Sequence, residues 1–293
     1  MIRGVALALL LLIPGPVAAA TPADCDTLVS GVRALTGLDL EAPPAPMDGD
    51  WCVLDGTRVA ASGAVRITVA HLRLRGSAEA GALQSLEVES EGVRMAPGLR
   101  DREMPDWLRD LSRLQTADLR LDLHRDAAAD LLRLREFRLD LSGGSALVLE
   151  AEVAGAGLES GAVLAGRLTR LRAEWKSDGR TMRPVLAAWG ARLEPGAAGT
   201  RAADAAREAL SALAGALPEA AVPEAAREGL RAAIRALPQG RGRLVVDLVS
   251  DRGIGAADLG VLALAQDPAG PEALARFLAG SRLDIDWQPG IVP

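Results

Sequence analysis

Between Trp51 and Trp175 the chain alternates oily and charged residues. Leu86-Glu87-Val88-Glu89, Leu119-Arg120-Leu121-Asp122-Leu123-His124 and Phe137-Arg138-Leu139-Asp140-Leu141 all repeat with a period of two. So do Leu147, Leu149, Ala151 and Val153 against Glu150 and Glu152, and Leu171, Ala173 and Trp175 against Arg172, Glu174 and Lys176. This period predicts strands with one apolar and one charged face. A sheet with one solvated face is of the antiparallel kind. Ser142-Gly143-Gly144-Ser145 fits a hairpin between two of its strands. In two places the apolar phase slips by one residue, near Ala70-His71 and near Gly92. A bulge at each would keep the oily residues on one side and bend the sheet.

Elsewhere the period is helical. Cys25 to Leu35 predicts a helix with Asp24 as N-cap and Gly37 as stop, followed by a loop through Pro43, Pro44 and Pro46. Pro105 to Leu114, with Trp107, Leu108 and Leu111, predicts a short helix interrupting the sheet. From Arg180 to Leu237, Ala and Leu recur at helical spacing. Met182 to Leu193 and Arg201 to Leu217 are two expected helices, and Pro223 at the first helical position opens a third. Arg243 to Val249 then reads as a strand, Ala257 to Ala265 and Pro271 to Leu278 as helices, and Leu283 to Trp287 as a last strand. The expected fold is α+β: a long curved antiparallel β-sheet with one face covered by Ala/Leu-rich helices. Residues 21–179 would form the N-terminal helix and sheet, and 180–293 a helical segment returning to strands on the same sheet.

Residues 1–20 read as a signal peptide. Arg3 is the basic start, Val5 to Ile13 an apolar run too short to span a bilayer, and Ala18-Ala19-Ala20 a cleavage site. The competing reading is an uncleaved anchor. Export to the periplasm makes a Cys25–Cys52 disulfide the leading expectation for the two cysteines. It would stabilise the fold by about 3–4 kcal/mol in the chain-entropy account. The alternative is a pair of buried free thiols. Cys25, Cys52, His71 and His124 lack the spacing of a metal site.

Charge and composition narrow the chemistry. A net charge of −6 gives no global basic field for nucleic acid. Nearly every basic residue is Arg and only Lys176 is Lys, so abundant Arg is not by itself evidence of phosphate recognition. Gly253-Ile254-Gly255 sits between an expected strand and helix, as a phosphate-cradling loop does, but Asp258 stands where the third glycine belongs. It reads as a turn. Gly157-Leu158-Glu159-Ser160-Gly161 lacks the spacing of a nucleophile elbow. His71 and His124 fall in strand patterns, and Asp48, Asp50 and Asp55 in a polar loop without the ligand order of a calcium site. No catalytic, cofactor-binding or metal residue is assigned, and no cofactor.

The run "LRLDLHRDAAADLLRLREFRLDLSGGSALVLEAEV" between Ala117 and Val153 resembles the AsmA-like exported proteins of Gram-negative bacteria. "RLVVDLVSD" followed by "SRLDIDW" resembles alphaproteobacterial exported proteins of uncharacterised role. The resemblance implies lipid handling at the envelope in a β-groove. The leading expectation is therefore a periplasmic, non-enzymatic envelope protein that binds a lipid or other apolar ligand in a sheet–helix groove. Against it stand a structural or protein-interaction module without a ligand, and a hydrolase built on His71 or His124 with Ser and Asp.

Overall fold

The computed structural model describes residues 21–41, 46–60, 65–80, 82–97, 116–159, 161–258 and 271–290. The expected signal peptide (1–20), the expected helix at 105–114 and most of that at 257–265 lie outside them.

The fold is α+β, a single curved antiparallel sheet with helices on one side. Its strands run as a meander. They are β1 (Thr21–Pro22), β2 (Asp39–Glu41), β3 (Met47–Asp48), β4 (Trp51–Ala60), β5 (Val65–Glu79), β6 (Ala82–Pro97), β7 (Ala117–Asp126), β8 (Leu131–Leu141), β9 (Ala146–Ala154), β10 (Arg167–Asp178), β11 (Arg241–Gly255) and β12 (Ser281–Pro289). The spatial order is β12-β11-β10-β9-β8-β7-β6-β5-β4-β2, with β1 beside β5 and β3 beside β4. The Ser142–Ser145 hairpin joins β8 to β9, closed by Leu141 N to Ser145 O at 2.8 Å.

Register keeps the oily residues together. Leu74, Val88 and Leu121 are successive partners, as are Leu139, Leu147, Trp175, Leu244 and Trp287. Partners share a face, so one apolar surface runs from β4 to β12. The phase slips are resolved in a coordinated way. β4, β5 and β6 change face in one row, at Gly56, Ala70 and Gly92, so the pairing across β4–β5 and β5–β6 stays constant on either side. Leu54, Val59, Val69, Leu72 and Val88 consequently all enter one core. β7 lacks the extra residue, so register shifts between Ser90 and Val93. There the Asp118 carboxylate accepts the Gly92 N–H at 2.9 Å. A further bulge in β8 makes Arg135 the extra residue, because Leu123 pairs Leu134 while Asp122 pairs Glu136.

Helices cover the two ends of the apolar face. Helix α1 (Cys25–Thr36) starts at the Asp24 cap, whose carboxylate accepts the Thr27 N–H, and stops at left-handed Gly37. It buries Leu28 completely against β5 and β6. The Cys25 and Cys52 sulfurs are within bonding distance, with Cα atoms 5.2 Å apart, and fasten α1 to β4. A single turn, α2 (Ala162–Ala165), precedes β10. Helices α3 (Met182–Leu193) and α4 (Gly199–Gly215) form a hairpin after it. Their axes approach closely because a Cβ at Gly190 would stand only 1.6 Å from the Ala202 carbonyl oxygen.

Helix α5 (Glu224–Ala236) covers the far end. Pro223 is its cap rather than its first residue, because the residue keeps an extended ψ of 154°. With Ala221, Val222 and Phe277 of α6 (Pro271–Phe277), α5 packs on Leu248 and Ile285. This also blunts the sheet edge, since Ala221 O accepts the Leu283 N–H at 2.8 Å.

Gly92 has φ 65°, and a Cβ there would lie 2.9 Å from the Ala70 Cβ. Gly92→Ala is expected to destabilise the protein by about 1–3 kcal/mol, read as a lowered midpoint in chemical unfolding.

Candidate functional site

The apolar face has two helix-covered cores and a middle that belongs to neither. The first core draws on β4 to β7 and, through Leu132 and Val153, on one end of β8 and β9; the second draws on β10 to β12. Between them lie Leu134, Phe137 and Leu139 of β8, Leu147, Leu149 and Ala151 of β9, and Ala173 and Trp175 of β10. All are half-buried. Strands stand about 4.8 Å apart, so the block is about 10 Å across and opens onto further leucines on both sides. Phe137 faces Leu149, Leu149 faces Ala173, and Leu147 faces Trp175. No charged residue interrupts it, because the β8 bulge turns both Arg135 and Glu136 away before Phe137 returns to the face. The Trp175 indole N–H is buried and has no acceptor among the described residues.

A polar knot fixes the end of this block. Ser145 is 1% exposed and Thr181 5%. The Ser145 hydroxyl donates to Asp178 Oδ1 at 2.7 Å, and the same oxygen accepts the Arg180 N–H at 2.9 Å and the Thr181 N–H at 3.2 Å. Burial pushes the Asp178 carboxyl up, but these hydrogen bonds outweigh it and hold the group below its ordinary value. The knot ties β9, β10 and the start of α3 together.

The opposite face carries the charges in ion pairs: Arg73–Glu89 at 3.3 Å, Arg75–Glu87 at 2.5 Å, Arg172–Asp247 at 2.8 Å and Arg243–Glu174 at 2.5 Å. Trp51 lies under both Arg73 and Arg75, 4.4 and 4.5 Å from its ring. Burial raises the Asp122 carboxyl on this face, although Arg135 opposes the shift.

The residues weighed for catalysis are scattered. His71 Nδ1 is 2.9 Å from Asp55 on the exposed charged face. His124 is the register partner of Ser85. The Ser85 hydroxyl instead bonds Ser77, at 2.8 Å to its oxygen and 3.0 Å to its N–H. Leu158 is buried in the first core and Glu159 pairs with Arg125, while Ser160 lies outside the described residues. Among the described residues no three His, Cys, Asp or Glu gather as a metal site would.

The Gly253–Gly255 turn is engaged by the protein itself. Gly255 N–H donates to Asp258 Oδ2 at 2.8 Å, and Arg252 reaches the other oxygen at 3.1 Å. The backbone bond, then Arg252, holds the Asp258 carboxyl below its ordinary value. An internal carboxylate thus stands where a phosphate would sit.

The Ser145–Asp178–Thr181 knot and the Arg135 bulge carried no recognisable sequence motif. A Ser after Gly-Gly and a lone Asp at a strand end have no pattern until the register brings them together. A surface cleft of about 840 Å³ also lies beside α6, lined by Pro218, Ala221, Val249, Leu278 and Arg282 among others. No family model, curated protein or solved structure matches the chain.

Because the folded Asp178 carboxyl is depressed, its contribution is complete above the unfolded carboxyl value and lost as pH falls through the folded one. Asp178→Asn is expected to lose about 1–2 kcal/mol at pH 7. The gap to wild type should narrow as pH falls below the ordinary carboxyl range, as measured by melting curves across pH.

Proposed function

We propose that this is a non-enzymatic periplasmic protein of the cell envelope that holds a lipid or other aliphatic ligand on the middle of its apolar sheet face. The observation that carries the reading is the block from Leu134 to Trp175. Its eight apolar side chains are half-buried and belong to neither helix-covered core. A contiguous apolar patch on a folded protein marks a binding surface. Mostly aliphatic walls, with Phe137 and Trp175 as the two aromatic rings, suit acyl chains better than sugars or bases, which stack on aromatic rings. The unpaired Trp175 N–H at one end favours a ligand with a hydrogen-bond acceptor, as an ester or carboxylate head has.

The export reading rests on the N-terminal pattern of residues 1–20 and on the Cys25–Cys52 pair, which belongs to an oxidising compartment. The non-enzymatic reading rests on the separation of His71 and His124 from any Ser–Asp partnership.

Native mass spectrometry of protein purified from its envelope, followed by organic extraction, tests the proposal. The expected result is a bound lipid-sized mass, lost in Leu149→Arg, whose charge would enter the centre of the block. That variant is expected to fold, because Leu149 belongs to neither core. Protein that is ligand-free and takes up no added fatty acid, with the same behaviour in the variant, contradicts the reading.

A further inference from the structure

We infer that α3 is a docking element for an anionic lipid bilayer. The helix is apolar on two adjoining stripes. Leu186 and Gly190 are buried on one, against Ala203 and Ala206 of α4 and the Ala202 carbonyl. On the next stripe, Val185, Trp189 and Leu193 follow at four-residue steps and so line one side. Trp189 is 36% exposed and Leu193 49%, and no described residue of the protein covers them further. A tryptophan with one wet side is the residue that settles at the boundary between headgroups and acyl chains.

Charge selects the bilayer over a protein groove. From Gly179 to Leu193 the chain holds Arg180, Arg183 and Arg192 and no carboxylate, in a protein of net charge −6. All three arginines are exposed, and none makes an ion pair with a described residue, whereas the sheet arginines Arg73, Arg75, Arg172 and Arg243 each do. The carboxylate at the helix end, Glu194, is taken by Arg201 of α4. Arg192, three residues after Trp189, flanks the exposed stripe, and Arg180 and Arg183 add positive charge at the start of the helix; together these guanidinium groups complement the surface of anionic phospholipids.

The position fits as well. The Ser145–Asp178–Thr181 knot anchors the first turn of α3 to the ends of β9 and β10, beside Trp175 and Leu147. Docking through α3 would bring that end of the apolar block to the membrane surface. The inference does not require the block to hold a ligand, and its test is separate.

Sedimentation with vesicles decides it, using the full mature chain. Vesicles with about a third phosphatidylglycerol should bind the protein at low salt, and vesicles of pure phosphatidylcholine roughly tenfold less. Raised salt should release it. Arg183→Gln/Arg192→Gln and Trp189→Ser/Leu193→Ser should each weaken binding roughly tenfold or more while circular dichroism stays unchanged. Leu149→Arg should bind vesicles like wild type even where it has lost extractable lipid, which separates the two proposals. Equal binding to both vesicle types overturns the inference. So does binding that neither double variant alters, or no binding alongside capture by an acidic protein surface.

Discussion

Everything in this protein depends on keeping one side of a very wide sheet oily. Side chains alternate faces along each strand, so a register slip of one residue would carry a whole strand's leucines into water. The sheet meets this constraint at each of its irregularities. Gly56, Ala70 and Gly92 let three neighbouring strands change phase in the same row, so none slips against the next. Where β7 does not follow, Asp118 takes the N–H that the shift leaves over. In β8 the extra residue is Arg135, which goes to the charged side and leaves Leu134 and Phe137 on the apolar one.

A continuous apolar face must be covered or used. At one end α1, fastened through Cys25 to Cys52, seals Leu28, Leu74 and Leu86. At the other, α5 and α6 seal Leu248 and Ile285. These two seals account for most of the fully buried leucines and isoleucines, at about 1.5–3 kcal/mol each, and therefore for most of the cohesion. The centre is different in kind. Its residues are half-buried and belong to neither helix-covered core. The reverse face needs no cover, because its arginines and carboxylates neutralise one another in cross-strand pairs that each contribute well under ~1 kcal/mol.

Much of this architecture is legible in the residues themselves. One-sided alternation is a local signal, so the strands, their antiparallel order and the Ser142–Ser145 hairpin can be read directly. Caps are local too, which is why Asp24 and Gly37 mark the ends of α1. Long-range facts leave weaker traces. The phase slips at Ala70 and Gly92 are visible, but their alignment with Gly56 depends on pairing across three strands. Pro223 looks like a first helical residue, yet it becomes the cap because the Ala221–Val222 turn dictates its entry. The candidate site is harder still. Alternation shows that Phe137, Leu149 and Trp175 lie on the apolar face, but not that they fall between two covers, which depends on where α1 and α5 settle.

The central claim is that the middle of the apolar face receives an aliphatic molecule. Photolabelling with a diazirine-bearing fatty acid, followed by peptide mapping, tests it most directly. The account predicts crosslinks on β8, β9 and β10 at Phe137, Leu147, Leu149 or Trp175, suppressed by excess unlabelled fatty acid. Crosslinks spread over the charged face, or none that competitor removes, would contradict it.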